Sequence, residues 1–442
     1  MTNPFKALLN IRREELPLSL LMLSYFFLVI TSFWVLKPIK SGLFLEYYDQ
    51  TGFDIFSWHM TAAQAELIAK ILNMLVAIVA VIVFTWLARR FRRQQLTYIF
   101  SGFFMVGFIA FSRVIDTPRE ITVWAFYLFG DLFSTLMVAT FFAFLNDSVT
   151  PEAAKRLYGL VGFGGVSGGA FGSTFVRVWV KQMSMSSWLW ICFGLAVVIA
   201  AVAMLAGRMV MKNPPPQETK PKKEKPSKKT GSLALEGARL VFRSRYLLSI
   251  MSIVVLYEMV STIMDFQYKA SIAHYLDGPA ITTQIATVAV IMNWIGMGVQ
   301  LFLTSFIMTR FGLTTALMIL PAMTLMGSAG FLAVPILWTG SFLNITDNSF
   351  NNSINQSAKE SLYVPTSFDA KYKGKAFIDM FAQRFAKALA VVLSLGITAV
   401  FTDFSTIRWL SIGTTAIVVV WIGIARFAGR KFDELSLSKD NK

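Results

Sequence analysis

Residues 212–229 read KNPPPQETKPKKEKPSKK and contain seven Lys, two Glu and five Pro. Proline removes backbone hydrogen-bond donors and clustered charges repel one another, so this segment can neither bury a core nor cross a bilayer. The chain on either side of it is strongly apolar. We therefore expect a solvated basic linker at 212–232 that joins two membrane bundles, one formed by residues 1–211 and the other by residues 233–442.

The composition places most of the chain in lipid. Of the 442 residues, 55% are hydrophobic and only 15% are charged, and the mean hydropathy is +0.59; a soluble globular domain has fewer apolar and more charged residues. The net charge of +16 would also suit a nucleic-acid-binding protein. However, the basic residues cluster at the ends of apolar stretches, which is typical of membrane-protein loops. We expect a multi-pass membrane protein that binds no nucleic acid.

Apolar runs of about 20 residues are long enough to cross a bilayer as helices. The chain has about twelve of them, six on each side of the linker. In the first half the predicted spans are 16–36, 62–87, 96–111, 121–145, 157–180 and 188–209. In the second half they are 246–266, 283–308, 313–332, 334–354, 377–400 and 407–424. This pattern predicts an all-α membrane protein of the major facilitator type, with two six-helix bundles related by pseudo-two-fold symmetry.

The distribution of Lys and Arg predicts the orientation in the membrane. Basic clusters at 12–13, 89–93, 155–156, 212–229 and 371–375 alternate with less basic loops, and cytoplasmic loops carry the excess of Lys and Arg. Both termini should therefore be cytoplasmic in a bacterial-type inner membrane. The first apolar run is too long for a signal peptide and ends without a small-residue cleavage site, so we expect it to be retained.

Several ionisable residues fall inside the predicted spans, or at the end of one. They are Lys37, Lys40, Asp131, Glu258, Asp265, Arg384 and Lys387. A charge at membrane depth costs at least about 2.5 kcal/mol, so such a residue usually faces a partner or a water-filled cavity. Two plainer interpretations remain open: Lys37 and Lys40, at the end of the first predicted span, can extend to the outer interface, and an acid and a base can form a structural ion pair. Basic side chains in a cavity would suit an anionic substrate.

The tenth predicted span carries an unusual run of amides: Asn344, Asn348, Asn351, Asn352 and Asn355, together with Asp347. The α-helical spacing puts Asn344, Asn348 and Asn352 on one face. Amides within a membrane need partners, so this face should line a cavity, with contact to another helix as the alternative.

The sequence contains only weak matches to the motifs of enzymes and metal sites. The glycine-rich stretch 164–172 predicts close helix packing, and its Gly165-Val166-Ser167-Gly168-Gly169 matches a hydrolase pattern that needs a strand-to-helix elbow and a His partner. His59 and His274 lie in predicted outer loops, and Cys192 is the single cysteine. We expect no catalytic centre, no metal site and no cofactor.

Four segments resemble one family of transporters. Leu36-Lys37-Pro38-Ile39-Lys40 is similar to its first-span motif. The strongest local match is Phe144-Leu145-Asn146-Asp147 with Glu152-Ala153-Ala154-Lys155-Arg156-Leu157-Tyr158 after it. Asp265-Phe266-Gln267-Tyr268-Lys269 resembles a seventh-span segment, and the run from Lys373 to Asp379, followed by Arg384 and Lys387, resembles the approach to the eleventh span. These segments identify the chain as similar to the ATP/ADP translocases of plastids and intracellular bacteria.

The resemblance implies an alternating-access carrier of an anionic, nucleotide-like solute, with exchange of ATP and ADP, through a cavity between the halves. It implies that Lys40 and Lys387 hold the anion, and that Asp131 and Asp265, which shorten glutamates of the family, pair with these lysines when the site is empty. The expected substrate-binding residues are Lys37, Lys40, Asp131, Asn146, Asp265, Tyr268, Asn348, Asn352, Arg384 and Lys387.

Two other functions remain open at this point. One is proton-coupled transport of another phosphorylated or carboxylated metabolite, and the other is a membrane scaffold or sensor that does not transport. The expected partners are a small anionic nucleotide and membrane lipids, whose anionic head groups would contact the linker. We expect a monomer.

Overall fold

The computed structural model describes residues 15–55, 58–149, 151–212, 230–367, 373–400 and 403–440, and these are mostly helical. The first part of the chain forms α1 Leu16–Tyr48, β1 Phe53–Ile55, β2 Trp58–Met60, α2 Ala62–Arg90, α3 Arg93–Ser112, α4 Glu120–Ser148, α5 Pro151–Trp179 and α6 Met185–Lys212. The second part forms α7 Thr230–Arg243, α8 Arg245–Tyr275, α9 Pro279–Gly298, α10 Thr304–Arg310, α11 Gly312–Ala333, α12 Leu337–Phe350, α13 Gln356–Leu362, α14 Lys375–Phe377, α15 Gln383–Val400, α16 Phe404–Ile407 and α17 Leu410–Asp440.

Ten helices in the described part of the chain are long and apolar enough to cross a membrane. The predicted count of about twelve is not confirmed by this criterion. The two predicted spans outside the ten are nevertheless helical in the structure, as α5 and as α12 with α13. The glycines of α5 and the asparagines of α12 make these segments less apolar than the other ten.

The described residues divide into two compact units. One unit contains α1 to α6 together with Asp277–Trp294, which is most of α9. The other contains α7, α8 and the chain from Ile295 onward. Of the predicted linker, residues 213–229 lie outside the described residues, and residues 230–232 belong to α7.

In the first unit, α1 packs against α4, α5 and α6. The glycines of α5 allow its close approach: a Cβ atom built on Gly164, Gly168 or Gly172 would lie 2.5 to 2.8 Å from a backbone carbonyl oxygen of α1. The Thr31 hydroxyl of α1 also donates to the Gly168 carbonyl at 3.2 Å. The prediction that these glycines serve helix packing is therefore confirmed.

Helix α1 is longer than the predicted first span. It continues past Lys37 and Lys40 to Tyr48, with Pro38 inside the helix. The additional turns are buried, and the ring of Phe44 packs against Trp124 and Tyr127 of α4 at centroid distances of 5.1 and 5.0 Å. The expectation that Lys37 and Lys40 end the span was wrong, because the packing of Phe44 on α4 extends the helix beyond the apolar run that ends at Leu36.

In the second unit, α8 packs against α12, α15 and α17. The π-helical turns Val299–Leu303, Asn351–Asn355 and Ile378–Ala382 interrupt α9–α10, α12–α13 and α14–α15 respectively. A π-helical turn closes i→i+5 hydrogen bonds and changes the direction in which the following side chains point. Sequence periodicity alone did not indicate these turns.

Candidate functional site

Lys40 is a buried cation in the middle of the first unit. Its side chain is only 4% exposed and forms an ion pair with Asp131 of α4. Its ammonium also lies 4.1 Å from the centre of the Tyr127 ring. Tyr127 and Asp131 are one helical turn apart on α4, so they approach Lys40 from the same face. Gly130 leaves the room for this contact, because a Cβ there would be 2.7 Å from Lys40 Cδ.

A second carboxylate, Glu66 of α2, belongs to the same group of side chains. Glu66 is 2% exposed. Its Oε1 accepts hydrogen bonds from the Tyr127 hydroxyl at 3.1 Å and from the Ser41 hydroxyl at 3.2 Å. Tyr127 therefore connects Glu66 to the Lys40 ammonium. Sequence reasoning missed Glu66, although an acid one turn inside an apolar span was a signal for it.

Two other predicted site residues of this unit, Lys37 and Asn146, make contacts of their own. Lys37 is half-buried, and its ammonium lies 4.6 Å from the centre of the Trp34 ring. Asn146 is exposed and accepts a hydrogen bond from the Tyr158 hydroxyl at 2.5 Å. It follows Asp131 by about 22 Å along α4, at 1.5 Å per residue. The structure therefore does not bring Asn146 to Lys40.

In the second unit, Lys387 of α15 forms an ion pair with Glu258 of α8. The Nζ–Oε2 distance is 3.3 Å, and the side chains are 45% and 7% exposed respectively. The Gln383 amide donates to the other oxygen of Glu258 at 2.5 Å. Gln383 and Lys387 are one turn apart and so face Glu258 together. Arg384 on the same helix is half-buried.

The acid that meets Lys387 is thus Glu258, whereas the expected partner was Asp265. Asp265 lies two turns further along α8, about 10 Å away at 1.5 Å per residue. There it accepts a hydrogen bond from the Asn344 amide at 2.9 Å. Tyr268 and Lys269, in the next turn of α8, are both buried.

The amides of the predicted tenth span do not all share one environment. Asn344 is buried and its carbonyl accepts from the Asn348 amide at 3.0 Å. Asn352 is exposed and Asn355 is fully buried. The α-helical spacing used to align Asn352 with Asn344 and Asn348 ends at Phe350, where the π-helical turn begins. The cavity-lining role expected for Asn348 and Asn352 stays a prediction.

Each unit therefore contains a lysine, Lys40 or Lys387, that a carboxylate of another membrane-spanning helix holds in an ion pair. Such a pair compensates both charges while no ligand is bound. A phosphate group can replace the carboxylate as the partner of the ammonium through charge-assisted hydrogen bonds. This arrangement is suited to binding an anion reversibly.

The sequence is similar to those of known transporters. The family model of the Major Facilitator Superfamily matches residues 21–362, and that of the TLC ATP/ADP transporters matches residues 332–432. ADP,ATP carrier protein 1 of Chlamydia muridarum is 26% identical over 380 residues, which cover 76% of this chain and 69% of the relative. The chloroplastic ADP,ATP carrier protein 1 of Arabidopsis thaliana is 24% identical over 73% of this chain and 57% of its own length.

Among solved structures, the nucleoside transporter NupG has a TM-score of 0.60 at 12% identity, covering 92% of this chain and 98% of the other. At this identity the likeness concerns the fold. The chain belongs to the Major Facilitator Superfamily and is a multi-pass integral membrane protein. Within that superfamily, the resemblance to ATP/ADP translocases predicted from its motifs is confirmed by the TLC match and by the carriers of Chlamydia and plastids.

Proposed function

We propose that this protein is a membrane transporter that exchanges ATP for ADP by alternating access, and that it is not an enzyme. The observation that carries the proposal is the buried Lys40–Asp131 ion pair, which supplies a cation for phosphate inside a chain that resembles ADP,ATP carriers. Lys387, paired with Glu258, supplies a second cation. The nucleotide is the proposed partner, and the named relatives support this substrate class.

The proposed binding step is an exchange of ion-pair partners. Without nucleotide, Asp131 compensates Lys40 in the first unit and Glu258 compensates Lys387 in the second. Nucleotide phosphates compete with the carboxylates for the ammonium groups, and Lys387, which is 45% exposed, is the more accessible of the two. Because each carboxylate re-forms its pair when the anion leaves, the empty carrier does not expose an uncompensated buried charge.

The test is uptake of labelled ATP into proteoliposomes loaded with ADP, with empty vesicles as the comparison. We expect uptake that requires internal nucleotide and is abolished by Lys40→Gln. Lys431→Gln is the matched control, since the Lys431 side chain on α17 is 45% exposed, as that of Lys387 is, and pairs with Glu434 three residues along the same helix. If the wild-type protein carries none of the nucleotides tested, the proposal is refuted.

The setting of the transporter is also part of the proposal. We propose a monomer in a bacterial-type inner membrane, with both termini in the cytoplasm, because the basic clusters alternate along the chain. The linker at 212–232 would then join the two bundles on the cytoplasmic side and contact anionic lipid head groups. Labelling of single cysteines introduced at residues 3 and 441, from each side of the membrane, would test this orientation.

A further inference from the structure

Asp347 of α12 is a buried carboxyl group to which the proposed binding step gives no role. It is 4% exposed. Its Oδ2 accepts a hydrogen bond from the Ser261 hydroxyl of α8 at 2.5 Å. Within the part of the chain that the structure describes, no Lys, Arg or His nitrogen lies within 4.0 Å of its oxygens. Asp131 and Glu258 differ from it, because each has a lysine partner.

In the described part of the chain, none of the charged groups that face Asp347 forms an ion pair with it. From α8 it faces Tyr257, Glu258 and Asp265, two of which are acids. From α15 it faces Lys387, whose ammonium forms an ion pair with Glu258. Helix α11, which also packs on α12, contains no charged residue.

Lys359 of α13 is another cation near Asp347. Its ammonium lies 5.3 Å from the centre of the Tyr257 ring. Lys359 therefore contacts the aromatic ring and not the Asp347 carboxyl group. An ionised carboxylate that is buried with hydroxyl donors alone is strongly disfavoured, and such a group takes up a proton instead.

We propose that Asp347 is a proton-binding site and that nucleotide exchange requires its protonated form. This inference rests on the proposed function and adds a coupling ion to it. The step is a simple protonation, in which one O–H bond forms with a proton from water on the side to which the site is open. Loss of that proton would leave a second negative charge near Lys387, where it competes with phosphate for the ammonium.

The first experiment is the pH profile of ATP/ADP exchange in proteoliposomes between about pH 6 and pH 9, a range above the ordinary titration of Asp. Wild-type exchange should fall severalfold as the pH rises, because the proton is lost. Asp347→Asn, which keeps a neutral side chain of the same shape, should remove this alkaline loss. Asp403→Asn is the matched control: Asp403 is exposed in the turn before α16 and its removal should leave the wild-type profile.

Ser261→Ala provides a second variant in case the Asp347→Asn protein is inactive. The Ser261 hydroxyl stabilises the ionised carboxylate by donating to it. Its removal should therefore shift the alkaline limb of the exchange profile to higher pH. A wild-type profile without an alkaline loss, or an alkaline limb unchanged by Ser261→Ala, would overturn the proton site while leaving nucleotide exchange intact.

A third measurement does not depend on transport. If the folded protein binds a proton at Asp347, stability falls as the pH rises through the range in which that proton is lost. Thermal unfolding of the purified protein should then show Asp347→Asn equal to the wild type below about pH 4, the ordinary pKa of Asp, and more stable than the wild type at neutral and alkaline pH. A constant difference across the range would refute the site. Absence of exchange for every nucleotide would refute the proposed function, and this stability comparison would still decide the proton site.

Discussion

The Lys40–Asp131 pair allows a prediction whose size follows from the structure. Asp131→Asn removes the carboxylate from a lysine that is 4% exposed, so water cannot take its place. Breaking a buried ion pair from one side costs about 3 to 5 kcal/mol. The Tyr127 ring remains 4.1 Å from the ammonium and retains part of its stabilisation. We therefore expect Asp131→Asn to lower the free energy of unfolding by an amount near the lower limit, about 3 kcal/mol.

Replacing the lysine of the pair should lower the stability of the protein by less than replacing the acid. Lys40→Met leaves Asp131, which is 21% exposed and can be partly hydrated. We expect a loss of about 1 to 3 kcal/mol, the range for an acceptor left without its partner. The double variant Lys40→Met/Asp131→Asn contains neither charge, and removing both members of a buried pair is often nearly neutral. It should be more stable than Asp131→Asn alone.

The assay combines unfolding of the four proteins in detergent, analysed as a double-mutant cycle, with ATP/ADP exchange in proteoliposomes. The cycle should show a coupling energy of more than about 1 kcal/mol, and the double variant should recover stability without recovering exchange. If the double variant transports nucleotides as the wild type does, the pair is structural only. If the single variants lose no stability, the reasoning from burial is refuted.

Three further predictions concern other positions. Gly168→Leu should destabilise the protein by about 1 to 3 kcal/mol or more, because a Cβ there would lie 2.5 Å from a backbone oxygen of α1. Gly162→Leu, with open space around the residue, should not destabilise it. Equal losses of the two variants in thermal unfolding would contradict the role of Gly168 in helix packing. Lys387→Gln should raise the KM for ATP more than Lys387→Arg does, and equal values would contradict a phosphate contact. Burial and the neighbouring Asp277 raise the pKa of Asp49, just beyond α1. The folded state therefore favours the neutral carboxyl group, and the stability that this group contributes is lost as the pH rises. Asp49→Asn should stabilise the protein at neutral pH but not at low pH, which unfolding measured as a function of pH would reveal.

The positions of the helices were predictable because hydropathy is a local property. Most of the predicted spans coincide with a helical segment to within a few residues. The span 62–87 matches Ala62–Arg90, and the span 377–400 matches Lys375–Val400. The errors occur where other interactions replace aliphatic burial. Helix α1 continues beyond 36 through aromatic packing, and α7 follows directly after a segment of charges and prolines.

The residue types at the candidate site were also predictable, since an ionisable group inside an apolar span is rare and costly wherever the chain folds. Lys40, Asp131, Glu258 and Lys387 stand out on that basis alone. Their pairing was not predictable to the same degree. Glu66, whose hydrogen bonds involve residues of α1 and α4, was missed.

The sequence alone determined the membrane class, the approximate helices and the buried charges, because each depends on the solvation of a short segment. The tertiary structure decided which charges meet. Lys387 contacts Glu258 and not Asp265, although the two acids are seven residues apart on one helix, because the rotation and height of α15 against α8 select a single turn. Among the described residues, the same packing leaves no Lys, Arg or His nitrogen within 4.0 Å of the Asp347 carboxyl group, and that property is visible only once the helices are assembled.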